Sequence, residues 1–99
     1  MKLVAIYKLP SDTALFDDKY FNTHLPLVRK VPGLKRIDIT RFTRTIAGEG
    51  FYLMAEMHFD DEAALKTGMR SPEMAAAGDN LNSFAPGLAV IMYGNEEAS

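Results

Sequence analysis

Residues 20–34, YFNTHLPLVRKVPGL, place a histidine, His24, among apolar neighbours and two residues ahead of Pro26. An imidazole deprived of hydration favours its neutral form unless a carboxylate lies near. In a dry pocket such a ring suits general acid/base work on a bound ketone, enol or carboxylate, including removal of a proton next to a carbonyl. Tyr20, one turn earlier, and Tyr7, near the start of the chain, bring phenol groups that can face the same space. The other histidine, His58, is far away in sequence, and neither ring has a paired ligand nearby, so no metal site is expected. The chain has no cysteine, which excludes a disulfide framework, a thiolate metal site and a cysteine nucleophile. Gly48-Glu49-Gly50 reads as a turn and not a phosphate cradle, no dinucleotide or Walker pattern occurs, and no cofactor is expected. Asp60-Asp61-Glu62 is explained by a helix start, where the dipole favours anions.

Each of these residues also has a purely structural explanation. A lone histidine on an apolar face can be a core residue satisfied by a backbone carbonyl or a tyrosine hydroxyl, and Tyr7 and Tyr20 can be core aromatics with satisfied hydroxyls. The elements that hold them bear on the choice. KLVAIYK, residues 2–8, reads as a strand covered on both faces. Asp12 or Thr13 caps a helix running to about Val31, where Pro32-Gly33 stops it. At a helical period His24 falls at the centre of the apolar stripe, flanked by Tyr20, Leu27, Val31 and Val28, with Lys19, Asn22, Arg29 and Lys30 opposite. Pro26 offers no N–H to the carbonyl of Asn22, so a kink is expected where His24 projects, opening space between helix and sheet. Tyr7, Tyr20 and Val28 are expected to line that space.

LKRIDITRFTRT, residues 34–45, reads as a long strand, AGEG as a hairpin turn, and FYLMAEMHF, residues 51–59, as the return strand. Leu53, Ala55, Met57 and Phe59 share an apolar face expected to meet the helices. Tyr52, Met54, Glu56 and His58 share a mixed face expected to turn toward a partner. A second helix starts at the 60–62 carboxylates and restarts at Ser71-Pro72, with Ser71 as N-cap and Pro72 as first helical residue. Small residues Ala75–Gly78 allow a close neighbour. Residues 88–93, LAVIMY, read as a last strand buried on both sides. The order β-α-β-β-α-β predicts an α+β, ferredoxin-like domain over residues 1–94, with two helices on one face of a four-stranded antiparallel sheet and a polar tail at 95–99.

Hydrophobic residues make up 47% of 99, with six Met, six Phe and four Tyr, a rich share for one small domain. A chain of this size buries roughly 60–70% of its unfolded surface. A homodimer with sheets face to face is expected to hide the second sheet face. Net charge is −2, basic in the first half and acidic in the second. Arg36, Arg41, Arg44 and Phe42 give a little footing to RNA binding, but the RNP1 pattern is absent and the tail is acidic, so no nucleic-acid partner is expected. No stretch approaches the roughly 18 apolar residues of a membrane span, and no signal peptide is recognisable. The expectation is a cytoplasmic protein with no membrane partner.

The pattern Phe16…Tyr20…His24-Leu25-Pro26-Leu27…Val31-Pro32-Gly33-Leu34 resembles the signature of the EthD family of small dimeric α+β barrel proteins. Phe59-Asp60-Asp61, Ser71-Pro72-Glu73 and Phe84 are also similar to that family. The resemblance implies a ferredoxin-like protomer, a homodimer whose two sheets form a barrel, and an apolar helix–sheet cleft in each subunit. The family takes its name from a protein linked to microbial degradation of a fuel ether by a cytochrome P450 system. Fungal relatives resemble cofactor-free decarboxylases or cyclases of aromatic polyketides. Other barrels of this plan include muconolactone isomerases, quinone-forming monooxygenases and haem-degrading enzymes, so fold alone does not fix the reaction. Only His24 carries over as a functional residue, at the family's His-x-Pro position. The implied function is binding of a small apolar or aromatic molecule, with His24 as the catalytic acid/base, or alternatively a non-catalytic ligand-binding or accessory module of an oxygenase system.

Overall fold

A computed structural model describes residues 1–98. Ser99, at the end of the expected tail, lies outside the described residues. Four strands, β1 (Lys2–Tyr7), β2 (Arg36–Arg41), β3 (Leu53–His58) and β4 (Ala89–Gly94), form one antiparallel sheet in the order β2-β3-β1-β4. The register pairs Leu3 with Met57 and Tyr93, and Ala5 with Ala55 and Ile91. The helices α1 (Thr13–Lys19), α2 (Leu25–Val28), α3 (Glu62–Met69) and α4 (Pro72–Phe84) complete the βαββαβ order. This is the α+β, ferredoxin-like architecture.

Each longer helix begins where the sequence supplies an oxygen for orphan N–H groups. Asp12 accepts from the Leu15 N–H at 3.0 Å, Asp61 from Ala64 at 2.8 Å and Ser71 from Met74 at 3.1 Å. Pro72 sits in the first turn of α4, where its missing N–H leaves no bond unmade. Gly33, with φ of 82°, makes the left-handed turn that ends the first helical stretch.

That first stretch is not the single helix to Val31 that a uniform period predicts. Regular α-helix stops at Lys19, a π-helical turn occupies Tyr20–His24, and α2 ends at Val28. The Leu25 N–H bonds to the Tyr20 carbonyl, five residues back, which inserts one extra residue into the turn. The register returns to α with the Arg29 N–H on the Leu25 carbonyl at 3.0 Å. Pro26 follows directly, with no N–H to continue either ladder. The distortion expected at this proline is therefore a widened turn.

Three further expectations need correction. The β2–β3 hairpin strands are shorter than 34–45 and 51–59: β2 ends at Arg41, β3 begins at Leu53, and residues 42–50 between them are exposed. Strand β4 is not buried on both sides in the protomer: it is a sheet edge, and Val90, Ile91, Met92 and Tyr93 are all exposed. Tyr52 lies just before β3, where alternation no longer holds. Its ring meets Phe16 edge-on at 5.6 Å on the helix side and its hydroxyl donates to Asp17 at 2.8 Å. The Leu53/Ala55/Met57/Phe59 face does pack under the helices, all four side chains being buried.

The buried residues fall into two groups. One gathers Ala5, Tyr7, Phe16, Tyr20, Leu53 and Leu81 near the start of the first helical stretch. The other gathers Leu3, Val28, Val31, Met57, Phe59 and Leu65 near its end. His24 lies on the helical stretch between them.

Candidate functional site

His24 is 5% exposed and points between helices and sheet. It lines an apolar cavity of about 70 Å³ whose walls draw on both core groups: Ala5, Tyr7 and Leu81 from one, Leu3, Val28 and Met57 from the other. Helix α4 adds Met74, Ala77 and Gly78, and β4 adds Ile91. Tyr7 and Val28, two of the residues expected at the cleft, are on its wall with His24. Tyr20 is not. It is buried behind the imidazole, 5.2 Å from it between ring centroids, and packs on Tyr7 at 5.2 Å and Phe16 at 5.3 Å. The widened turn sets this arrangement, because Tyr20 and His24 are its first and last residues.

The electrostatics follow from burial. Loss of hydration lowers the pKa of His24, and the Asn80 side chain and the Ala77 carbonyl pull it partly back. Neither reaches hydrogen-bond geometry with Nδ1, which is fully buried and without a partner among the described residues. Asn80 Oδ1 is a second buried polar atom in the same condition. Unpaired buried polar atoms are rare in native proteins and point to strain, function or a missing partner. Burial also holds both tyrosines protonated. Tyr20 is raised furthest, by desolvation first and then by the neighbouring Tyr7 phenol.

Sequence reasoning missed Asn80, Ala77, Gly78 and Ile91. All but Ile91 come from α4, and the signal available was their helical spacing with Met74 and Leu81. His58 lies on the opposite face, where its Nε2 stands 2.9 Å from Asp38 Oδ2, an oxygen that also receives Arg36 Nε at 3.1 Å. Among the described residues, no three His, Asp or Glu side chains gather as a metal-binding group, and no helix is long and apolar enough to cross a membrane.

The sequence profile of the EthD domain matches residues 8–85. The chain belongs to the EthD family. An EthD ("ethyl tert-butyl ether d") family protein of Bacillus halodurans is 45% identical, with 97% of each chain covered and a TM-score of 0.91. An uncharacterised 11.0 kDa protein from the thcB–thcC intergenic region of Rhodococcus erythropolis is 28% identical over 97% of this chain and 94% of its own length. More distant structures share the fold alone. A dimeric ferredoxin-like protein of unknown function from Thermobifida fusca has 15% identity and a TM-score of 0.66, covering 92% of this chain and 87% of its own. SnoaB, a cofactor-independent oxygenase from Streptomyces nogalater, has 14% identity and a TM-score of 0.65, covering 97% and 93%.

Proposed function

We propose that this protein binds a small apolar, ring-bearing molecule in the cavity between helices and sheet, and that neutral His24 takes a proton from it. The observation that carries the reading is the buried, unpartnered Nδ1 of His24 on a cavity whose other walls are almost wholly apolar. An unsatisfied ring in a dry gap is costly unless a ligand meets it. The unpartnered Nδ1 is the ring atom left to meet a ligand and take its proton. Tyr7 is on the same wall. Its phenol O–H is a donor that a substrate oxygen in the cavity can meet. A base and a hydrogen-bond donor on one wall suit enolisation, isomerisation or decarboxylation next to a carbonyl. SnoaB, a cofactor-independent oxygenase on the same fold, supports the idea that this plan can work through side chains alone.

The test compares wild type with His24→Ala against a panel of aromatic ligands by thermal shift. Ligands that stabilise wild type and not the variant are expected. Equal shifts across the panel would remove the histidine from the site. Binding without turnover of ketone and polyketide-like substrates would favour the second reading, a non-catalytic module of an oxygenase system. That reading is favoured by the lack, among the described residues of the cavity wall, of a carboxylate to orient the imidazole for catalysis.

The protein is further proposed to act as a homodimer through the sheet face away from the helices. Val4, Ile6, Met54, Val90 and Met92 lie on that face, rimmed by the Lys2–Glu56 ion pair at 2.6 Å. The dimeric protein from Thermobifida fusca supports the assembly. Ile6→Glu, placed between Met54 and Val90, is expected to convert the dimer to monomer in sedimentation. An unchanged mass would exclude this face as the interface.

A further inference from the structure

The wall of the His24 cavity is closed on nearly every side. Its residues on β1, β3 and the first helical stretch are all buried, as are Ala77 and Leu81, and Met74 is half-buried. Two wall residues are exposed: Gly78 on α4 and Ile91 on β4, the latter at 55%. The route from solvent to the imidazole therefore passes between them.

Gly78 is otherwise hard to account for. It lies inside a 13-residue helix, where glycine is less stable than alanine. The glycines with positive φ are Gly33, Gly48 and Gly87, so the backbone at 78 does not require one. A Cβ added there would meet nothing within 4 Å among the described residues, so packing does not require one either. What the missing side chain leaves is free space at a wall residue of the cavity that holds the unpartnered histidine. The cavity, at about 70 Å³, is also far smaller than an ordinary small-molecule site of roughly 300 Å³. Anything larger than a single ring must keep part of itself outside, and the way out is past Gly78.

Building on the cavity reading above, we propose that the Gly78–Ile91 gap is the entrance of the site and that residue 78 sets the size of molecule admitted. The occupant is a single-ring phenol or a similar ring bearing one hydrogen-bonding oxygen. That oxygen meets His24, and substituents on the far side of the ring extend through the gap.

Phenol and 4-ethylphenol serve as probes, titrated into full-length protein and followed by amide chemical shifts. Wild type is expected to bind both, with shifts around His24. Gly78→Leu and Ile91→Trp, which narrow the gap from opposite sides, should each weaken 4-ethylphenol by roughly tenfold or more and phenol by less, with Gly78→Ala between them and wild type. Variants that bind 4-ethylphenol within roughly twofold of wild type, while His24→Leu abolishes binding, overturn the entrance and leave the cavity reading standing. No shifts near His24 in wild type with either probe overturn both. A changed sedimentation mass for Gly78→Leu with unchanged binding overturns the entrance in favour of a subunit contact at Gly78. Should Gly78→Leu fail to fold, the Ile91→Trp result decides.

Discussion

The rings of Tyr20 and His24 lie 5.2 Å apart between centroids, tilted by 36°, at the two ends of one widened helical turn. The tyrosine packs on both Tyr7 and Phe16, so the imidazole rests on a buried aromatic cluster. Such packing limits the orientations open to the imidazole.

Holding His24 unpaired is expected to lower stability. His24→Leu removes a buried polar atom that has no partner, and should raise unfolding free energy by about 1 kcal/mol in urea while abolishing ligand-induced stabilisation. A variant that is markedly less stable would mean the imidazole is satisfied in solution.

The same residue makes stability depend on pH with a defined sign. The folded pKa of His24 is depressed by burial, so the unfolded chain binds its proton first as pH falls. Its contribution is complete above the ordinary value of 6.5 and is lost between there and the lower folded value. Wild type is expected to weaken on acidification through that window, and His24→Leu to weaken less. Parallel melting profiles for the two proteins would contradict the depressed value.

Asn80→Asp places a carboxylate where the amide now faces the ring. An opposite charge favours the imidazolium, so the His24 pKa should rise by about one unit or more in a proton NMR titration. An unmoved titration would mean residue 80 does not face the ring.

Pro26→Ala restores an N–H to the widened turn. An interior proline costs about 3 kcal/mol, but here the π-helical register already absorbs part of that. The variant is expected to gain about 1 kcal/mol in chemical denaturation and to lose ligand response, because the relaxed helix rotates His24 away from the cavity. Gain of stability with full ligand response would separate the proline from the site.

Gly68 is a close-approach glycine. An added Cβ would stand 2.8 Å from Phe59 Cε1, 3.0 Å from the Pro32 carbonyl oxygen and 3.2 Å from Val31 Cγ1. Gly68→Ala should therefore destabilise by about 2 kcal/mol, despite alanine's better helix propensity, and thermal denaturation measures it. A neutral result would show that the 31–33 turn yields easily.

Much of this architecture can be read from local chemistry. The cap at Ser71, the helix start at the 60–62 carboxylates, the apolar face of β3 and the inward placement of His24 follow from spacing and side-chain type alone. The π-helical turn does not, because a single extra residue in one turn leaves the apolar stripe almost unchanged on a helical wheel. The open state of β4 escapes for a different reason. A continuous apolar run has the same sequence whether a helix of its own chain or some other surface covers it. The cavity wall contributed by α4 depends on how that helix crosses the sheet, which is a property of tertiary packing. Asn80 and Gly78 become meaningful only once that crossing is known.

Strand β4 leaves one edge of the sheet unpaired, with four consecutive apolar side chains exposed from Val90 to Tyr93. Such an edge is a template for cross-β stacking. Glu96 and Glu97 follow after Gly94 and Asn95, and Glu96 is tied back to Lys2 at 3.5 Å. Charges so placed act as gatekeepers against fibril growth. Glu96 and Glu97 thus set negative charge beside the apolar edge strand.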